Sequence, residues 1–525
     1  MEQNTIGSHF FYGTHLGVYD EYKGRRVNIT PLQTTPTTLG TDPITTQAGI
    51  PVITIAFTGH SITLGERIKI AGATAVGGVD AVQINKEHIV TAVPNANTIQ
   101  VTLEINAVSG ATGGGAVVML AKQVAAGVRN QSLLSGYGAG QYGSGLFGVD
   151  KFSTTEQRYP RITSFDSFGR GVIFCLGDYT AGDGQKIYSW NGNREVAPVV
   201  VTNAPTDANW VRVINNAAVA LCGNKIKISK IGFLDVWDVL DGAEIVPIQR
   251  ATRLISVHPV GEKSGIVFSP EPYLLRYSPS SGWDAVELGA SFAIAAPNAA
   301  CKMGDGLIWY GADGNFYYFD GGAVQTIVND QNGEFVRERI NDGAIWTTFM
   351  MSDPKHNQAY LYYPANGSAN PDEYVIINPS AMTRGGKPSF FNGFMVRTSA
   401  QQPSSLDSKF FMTSEDVVWS HFANAPVTFT WSAKTAFFFA GGGTNRVKLN
   451  NLIPDNFQAG TINVTVYGLE TPQGNEINYG TFQINAVSPM ITVRGAGKLI
   501  AFEFWGADEF TLGSMQMNIE AQGTR

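Results

Sequence analysis

The chain has 525 residues with 59 Gly and 24 Pro, and only 15% of its positions are charged against 43% hydrophobic; this is a composition of strands and turns, long enough for several domains. Its net charge of −7, with Lys23-Gly24-Arg25-Arg26 as the densest basic cluster, argues against the Lys/Arg patches a phosphate-gripping nucleic-acid binder needs. Three widely spaced cysteines, Cys175, Cys222 and Cys301, give neither a disulfide framework nor a C-x-x-C pair, and are read as small buried residues of a reducing compartment.

Met1-Glu2-Gln3-Asn4 has neither the basic start nor the apolar run of a secretory signal. No stretch reaches the ~18 apolar residues of a membrane span, so a product soluble when made is expected. Residues 1–46 are polar and rich in Thr and Pro. They are expected to hold one docked strand around Phe10-Phe11-Tyr12, between His9 and His15, then a linker through Thr34-Thr35-Pro36-Thr37-Thr38. Residues 47–122 carry dense strand signals. Ile53, Ile55 and Phe57 share one face, as do Ile99, Val101, Leu103 and Ile105, which predicts half-buried strands of a small inserted β domain. The run at 134–148 is too rich in glycine for a helix or a long strand, and is expected as an extended loop whose tyrosines pack elsewhere.

From there the chain repeats loosely. Ile187-Tyr188-Ser189-Trp190-Asn191-Gly192 is matched by Phe316-Tyr317-Tyr318-Phe319-Asp320-Gly321. Trp190, Trp237 and Trp283 sit 47 and 46 residues apart, the period of propeller blades, although Trp309 and Trp346 follow at 26 and 37. Asp183-Gly184, Asn191-Gly192, Asp313-Gly314, Asn332-Gly333 and Asn366-Gly367 read as turns. A β-propeller over 123–424, entered through the Gly/Tyr-rich loop, is favoured over a sandwich. Residues 334–340 give the best short helix, with Val336 and Ile340 on one face. Alternation resumes at 425–525, in Ile462, Val464 and Val466 and in Met515, Met517 and Ile519, as a C-terminal β domain. The expected fold class is therefore all-β: a β-propeller with an inserted small β domain and a C-terminal β unit.

Several segments, in order, resemble the tail nozzle or tail hub proteins of short-tailed bacteriophages, related to the packaged-DNA stabilisation proteins. They are Gly136-Tyr137-Gly138-Ala139-Gly140-Gln141-Tyr142-Gly143 and its continuation to Gly148, residues 230–238 with Trp237-Asp238, residues 303–322 with the helix that follows, and residues 491–498 through Gly523-Thr524-Arg525. The resemblance covers most of 125–525. It departs after Tyr374-Val375-Ile376-Ile377-Asn378-Pro379, where the family has a Trp a few residues on and this chain has Phe390-Phe391, leaving the blade boundary near 380–400 open. Residues 50–122 are similar to the small β domain named after the first catalytic cysteine half-domain of ubiquitin-activating enzymes, through residues 59–70, Gly77-Gly78-Val79 and Asn95-Ala96-Asn97-Thr98-Ile99; the block contains no cysteine.

Enzymatic motifs are weak. Gly138-x-Gly140-x-x-Gly143 fits a dinucleotide fingerprint in letters alone, because more glycines follow where a helix should start. Asp235, Asp238, Asp241 and Glu244 read as a solvated turn rather than a calcium cage or an acid pair. Asp178, Asp183-Gly184 and Asp313-Gly314-Asn315 read as hairpin turns. His9, His15, His60, His88, His258, His356 and His421 form no metal-binding spacing, and no G-x-S-x-G elbow occurs. Asn28, Asn366 and Asn463 head glycosylation tripeptides, which carry no meaning without a secretory route. No catalytic, cofactor or metal residue is expected.

The resemblance implies a homohexameric virion ring that extends the DNA channel below the portal and adaptor, retains packaged DNA until genome ejection and anchors tail fibres or spikes. DNA would transit its lumen without sequence-specific binding, and the protein would be made in the host cytoplasm. The alternative is a glycan-binding propeller for receptor recognition, with Trp190, Trp283 and Trp309 as stacking platforms; inter-blade core packing is the competing role for those rings.

Overall fold

The computed structural model describes residues 2–4, 9–22, 25–128, 159–178, 182–251, 253–269, 271–289, 292–327, 330–354, 356–378, 389–401, 410–414, 417–421, 431–440, 445–454, 461–485, 490–507 and 515–522. The Gly/Tyr run at 134–148, Lys23-Gly24 and Gly523-Thr524-Arg525 lie outside them. The chain divides into two compact units, Met1–Phe422 and Ala423–Arg525.

Seven small antiparallel sheets can be followed among the described residues of the first unit, and together they make a β-propeller. Blade 1 is Glu2–Asn4, His9–Gly13, Val18–Tyr22 and Arg25–Asn28. Blades 2 to 6 open on the strands Ser164–Phe168, Trp210–Ile214, Ser256–Pro259, Ala300–Met303 and Phe349–Asp353, each followed by three more in meander order. Blade 7 has three strands, beginning at Ser399–Ala400. Opening strands of successive blades touch, so they form the hub. They start 46, 46, 44 and 49 residues apart, which is the true repeat. The tryptophan spacing matches that period without marking equivalent positions. Trp190 ends the third strand of blade 2, Trp237 lies in a connection of blade 3, and Trp283 is in the fourth strand of blade 4.

The second strands of blades 2 to 6 are buried on both faces because a neighbouring blade covers each side; Ala217–Cys222 and Gly306–Tyr310 are buried at every residue. Their sequences are therefore continuous apolar runs rather than alternating ones. Shared cores join the blades. Phe11, Val18 and Ile29 pack with Phe165, Phe174 and Trp190 between blades 1 and 2, and Phe349, Tyr360 and Tyr362 pack with Met412 between blades 6 and 7. Phe10 meets Phe411 with ring centroids 4.3 Å apart, which brings blade 1 against blade 7 and closes the ring.

The first 46 residues thus differ from the expected strand and linker. Their strands are short, and those of blade 1 find apolar partners as distant as Phe165, Phe174 and Trp190, so local pattern understates them. Thr37–Thr38 pairs with Met119 and Leu120, and Ile44–Thr46 also joins the small domain. That domain is an eight-strand path with its own apolar core, inserted between blades 1 and 2. Its stem is fixed by reciprocal amide hydrogen bonds between Asn28 and Gln123, at 3.1 and 3.2 Å. Arg67 ties it to blade 2 by donating to the carbonyls of Arg194 and Glu195.

The helix expected at 334–340 spans Asp330–Arg339, so Asn332-Gly333 lies in its first turn and makes no hairpin. Ser389–Phe394, containing Phe390-Phe391, pairs with Glu373–Asn378 as the fourth strand of blade 6, and blade 7 starts at Ser399. In the second unit, a five-stranded and a three-stranded sheet enclose Val447, Leu449, Val464, Val493, Phe502 and Phe504. Met515–Ala521 is an edge strand there. Met517 and Ile519 are exposed, against the expected half-burial, because an edge strand of a three-stranded sheet has one neighbour only.

Candidate functional site

The third residue of each opening strand in blades 2 to 5 is polar: Asp166, Arg212, His258 and Lys302. Backbone amides and carbonyls of neighbouring opening strands need partners, and side chains of the adjacent blade supply them. Ser164 Oγ and Asp166 Oδ2 accept from the N–H groups of Val211 and Val213 at 2.9 and 2.7 Å. Arg212 Nη1 donates back to the Phe165 carbonyl at 2.5 Å, and Asn209 Nδ2 donates to the Leu254 carbonyl at 2.9 Å. His258 Nε2 lies 2.9 Å from the Pro297 carbonyl; a carbonyl can only accept, so this nitrogen carries the hydrogen. Burial pushes the His258 pKa down to about 3, with Arg212 adding to the effect, so its imidazole is neutral. Burial raises the Asp166 carboxyl above its ordinary value, opposed by Arg212 beside it.

A cavity of about 440 Å³ opens where blade 1 meets blades 2, 5, 6 and 7, and its walls include Tyr12, His15, Arg161, Thr163, Asn298 and Asn370. Arg161 is the one Lys, Arg, Asp or Glu among the described residues that line it. That guanidinium is paired with Asp178 in a fork, Nε to Oδ1 at 2.8 Å and Nη2 to Oδ2 at 2.5 Å, with both side chains almost fully buried. Asp178 is thus a buried partner of Arg161 and not the turn residue expected. Gly184 is required beside it, because a Cβ at that position would overlap the Asp178 carboxylate. Arg161 Nη1 and Thr163 Oγ1 are buried without a partner. The cavity can hydrogen-bond an uncharged polar molecule; it offers no pair of carboxyls for proton transfer.

Other residues singled out from sequence do not converge. Asp238 Oδ1 caps a 3-10 turn through the Leu240 N–H, while Glu244 accepts from the Trp283 N–H at 2.9 Å. Asp183 sits in a 3-10 turn and holds Thr34 and Lys186. Asp313 accepts from the Tyr317 hydroxyl within the turn after Tyr310. Trp190, Trp283 and Trp309 are buried in blade cores, Trp309 completely, so none presents a face to a sugar. Gly138, Gly140 and Gly143 lie outside the described residues. No group of three or more His, Cys, Asp or Glu able to hold a metal occurs among the described residues. Burial raises all three thiols, Cys175 to about 12, which keeps them protonated at neutral pH. No helix among the described residues is long and apolar enough to cross a membrane.

Sequence reasoning missed the Arg161–Asp178 pair and the hub residues. The signal was the 46-residue spacing of Asp166, Arg212 and His258, hidden because the repeated position changes residue type.

No protein family profile matches the sequence, and no curated protein matches it. Among solved structures, Hsv2p of Kluyveromyces lactis is 11% identical over 50% of this chain and 74% of its own, at a TM-score of 0.28. BamB from Moraxella catarrhalis is 9% identical over 49% of this chain and 80% of its own, at 0.28. A phage phi92 endosialidase is 11% identical over 80% of this chain and 64% of its own, at 0.18. The propeller assignment rests on the strand pairing and blade contacts described above.

Proposed function

We propose that this chain is a structural component of a short-tailed bacteriophage tail, a nozzle or hub ring of six copies. The observation that carries the reading is the build of the first unit. Its seven blades share apolar cores and its opening strands are stitched by side-chain hydrogen bonds, a construction that holds shape. The motif order along 125–525 supplies the link to tails.

The hub cavity of about 440 Å³ has the volume of a sphere roughly 9 Å across, less than the ~12 Å width of a duplex's major groove alone, so it cannot hold a duplex. A DNA conduit would therefore be formed between copies. Six copies at −7 each carry −42, and a lumen sharing that sign would leave phosphates ungripped, so DNA slides. In this reading the portal and adaptor sit above the ring and fibres or spikes attach below it. The ring retains packaged DNA until ejection.

The test is to size the purified chain alone and mixed with its portal–adaptor complex, and to image the product. Rings with an opening of duplex width are expected. A chain that stays monomeric under both conditions and is absent from purified tails refutes the proposal.

A further inference from the structure

The five-stranded sheet of the second unit has one face in the core and one in solvent. Leu499–Gly506 runs between Trp431–Lys434 and Ile462–Leu469, with Ile477–Ile484 beyond. Phe502 and Phe504 point into the core, so alternation turns Glu503 and Trp505 outward. Trp505 is 41% exposed although its strand is internal to the sheet. A large exposed ring at the middle of a sheet, rather than at its edge, is the informative case.

The indole is fixed in place. Its Nε1–H donates to Thr465 Oγ1 on the next strand at 3.2 Å, and Thr465 in turn bonds Thr481 Oγ1 at 2.9 Å. Ser432 and Asn463 stand opposite Trp505 on its two neighbouring strands, and Gln483 pairs with Asn463 on the strand beyond. The nearest other aromatic on this face, Tyr467, already carries the Lys434 ammonium 4.1 Å from its ring centroid, and that lysine is paired with Glu476. Nothing among the described residues stacks on Trp505. Among the described residues the face therefore presents one oriented π surface with no ring on it, rimmed by a hydroxyl and two amides, of which Asn463 Nδ2 also donates to the Trp505 carbonyl at 3.3 Å, and no charge stands opposite the ring in register.

We propose that this face binds a neutral polysaccharide, with one hexopyranose ring lying on Trp505 and its hydroxyls on Ser432, Asn463 and Gln483. The axial C–H groups of a pyranose form an apolar face the width of an indole, and its hydroxyls need amide and hydroxyl partners, as arranged here. A protein partner fits less well. The other exposed ring on this face, Phe439, pairs with Leu499 at the far end of the strand, six residues and roughly 20 Å from Trp505. A single indole is far smaller than the roughly 800 Å² per side of a stable protein interface. This inference needs only the second unit and is independent of ring assembly.

The full-length chain is run in native gels containing dextran, galactomannan or, as an acidic comparison, polysialic acid, and tryptophan fluorescence is titrated with the polymer that retards it. Retardation by a neutral polymer is expected, weakened at least tenfold in Trp505→Ala and partly kept in Trp505→Phe. It should be unchanged in Trp419→Ala, which removes an exposed tryptophan of the first unit. Thermal unfolding of each variant confirms folding, and Asn463→Ala gives a second reading that leaves the ring in place. No retardation by either neutral polymer overturns the proposal. So does retardation by polysialic acid alone, equal retardation of Trp505→Ala, or a loss of self-association in Trp505→Ala without any sugar effect. Sizing of the unmodified chain is read without any polymer, so this inference and the ring assembly fail separately.

Discussion

His258 should make the first unit sensitive to mild acid, and the effect can be sized. The imidazole is enclosed between blades. Nε2 donates to the Pro297 carbonyl and lies 3.2 Å from Ser256 Oγ, the rings of Trp210 and Phe268 are 6.3 and 6.0 Å away, and Arg212 opposes any positive charge. The native pKa is about 3 against 6.5 when unfolded. Between those values the unfolded chain holds one proton more, so stability falls as pH falls, by about 1.4 kcal/mol per pH unit. From pH 7.5 to 5.0 the loss from this residue is about 2 kcal/mol. Asp166, raised in the native state, works in the opposite direction at lower pH. It is present in both proteins compared and cancels to first order. In His258→Gln the amide can still donate to Pro297 but cannot titrate. Urea unfolding followed by tryptophan fluorescence, at pH 7.5 and 5.0, should show the variant less stable at the higher pH and the gap narrowed by about 2 kcal/mol at the lower. A gap of equal size at both values would refute the claim that a neutral, buried imidazole is held at the hub.

Arg161→Ala should destabilise the first unit by about 3–5 kcal/mol, because it strands the Asp178 carboxylate, whereas the double change Arg161→Met with Asp178→Leu should recover most of the loss; urea midpoints test both. Gly184→Ala should cost about 1–3 kcal/mol through overlap with Asp178, and the cost should largely disappear in an Asp178→Ala background, a coupling that a thermodynamic cycle reads directly. The thiols of Cys175, Cys222 and Cys301 should be silent to a thiol reagent at pH 8 in the native protein and yield three equivalents in urea, since burial raises all of them.

The parts of the fold that were legible are those with one face in water. Ile53 and Ile55, Ile99 and Val101, and Ile462, Val464 and Val466 alternate because the small domain and the second unit each bury one side of their sheets. In the propeller the same test is nearly blind. Val219 to Leu221 and Leu307 to Tyr310 are buried on both faces, so the period of two vanishes and only turn residues and aromatic clusters remain. Blade 1 was the hardest. Its strands of three to five residues find their apolar partners, Phe165, Trp190 and Phe411, across an inserted domain and round the whole ring.

The hub was illegible for a different reason. In a repeat protein whose blades are held by apolar cores, the repeated positions are constrained by packing and keep their character, as Val219, Ile266 and Leu307 do in second strands, opposite Arg212, His258 and Lys302. The third position of the opening strand is constrained by what a neighbouring blade's backbone lacks. Asp166 supplies an acceptor to Val213, Arg212 a donor to Phe165 and His258 a donor to Pro297, so the residue type follows the local deficit and changes from blade to blade. A search for similarity therefore passes over these positions, while the 46-residue step between Asp166, Arg212 and His258 keeps them in register. In such a ring, fixed spacing with varying chemistry marks the hub, and fixed chemistry marks the walls.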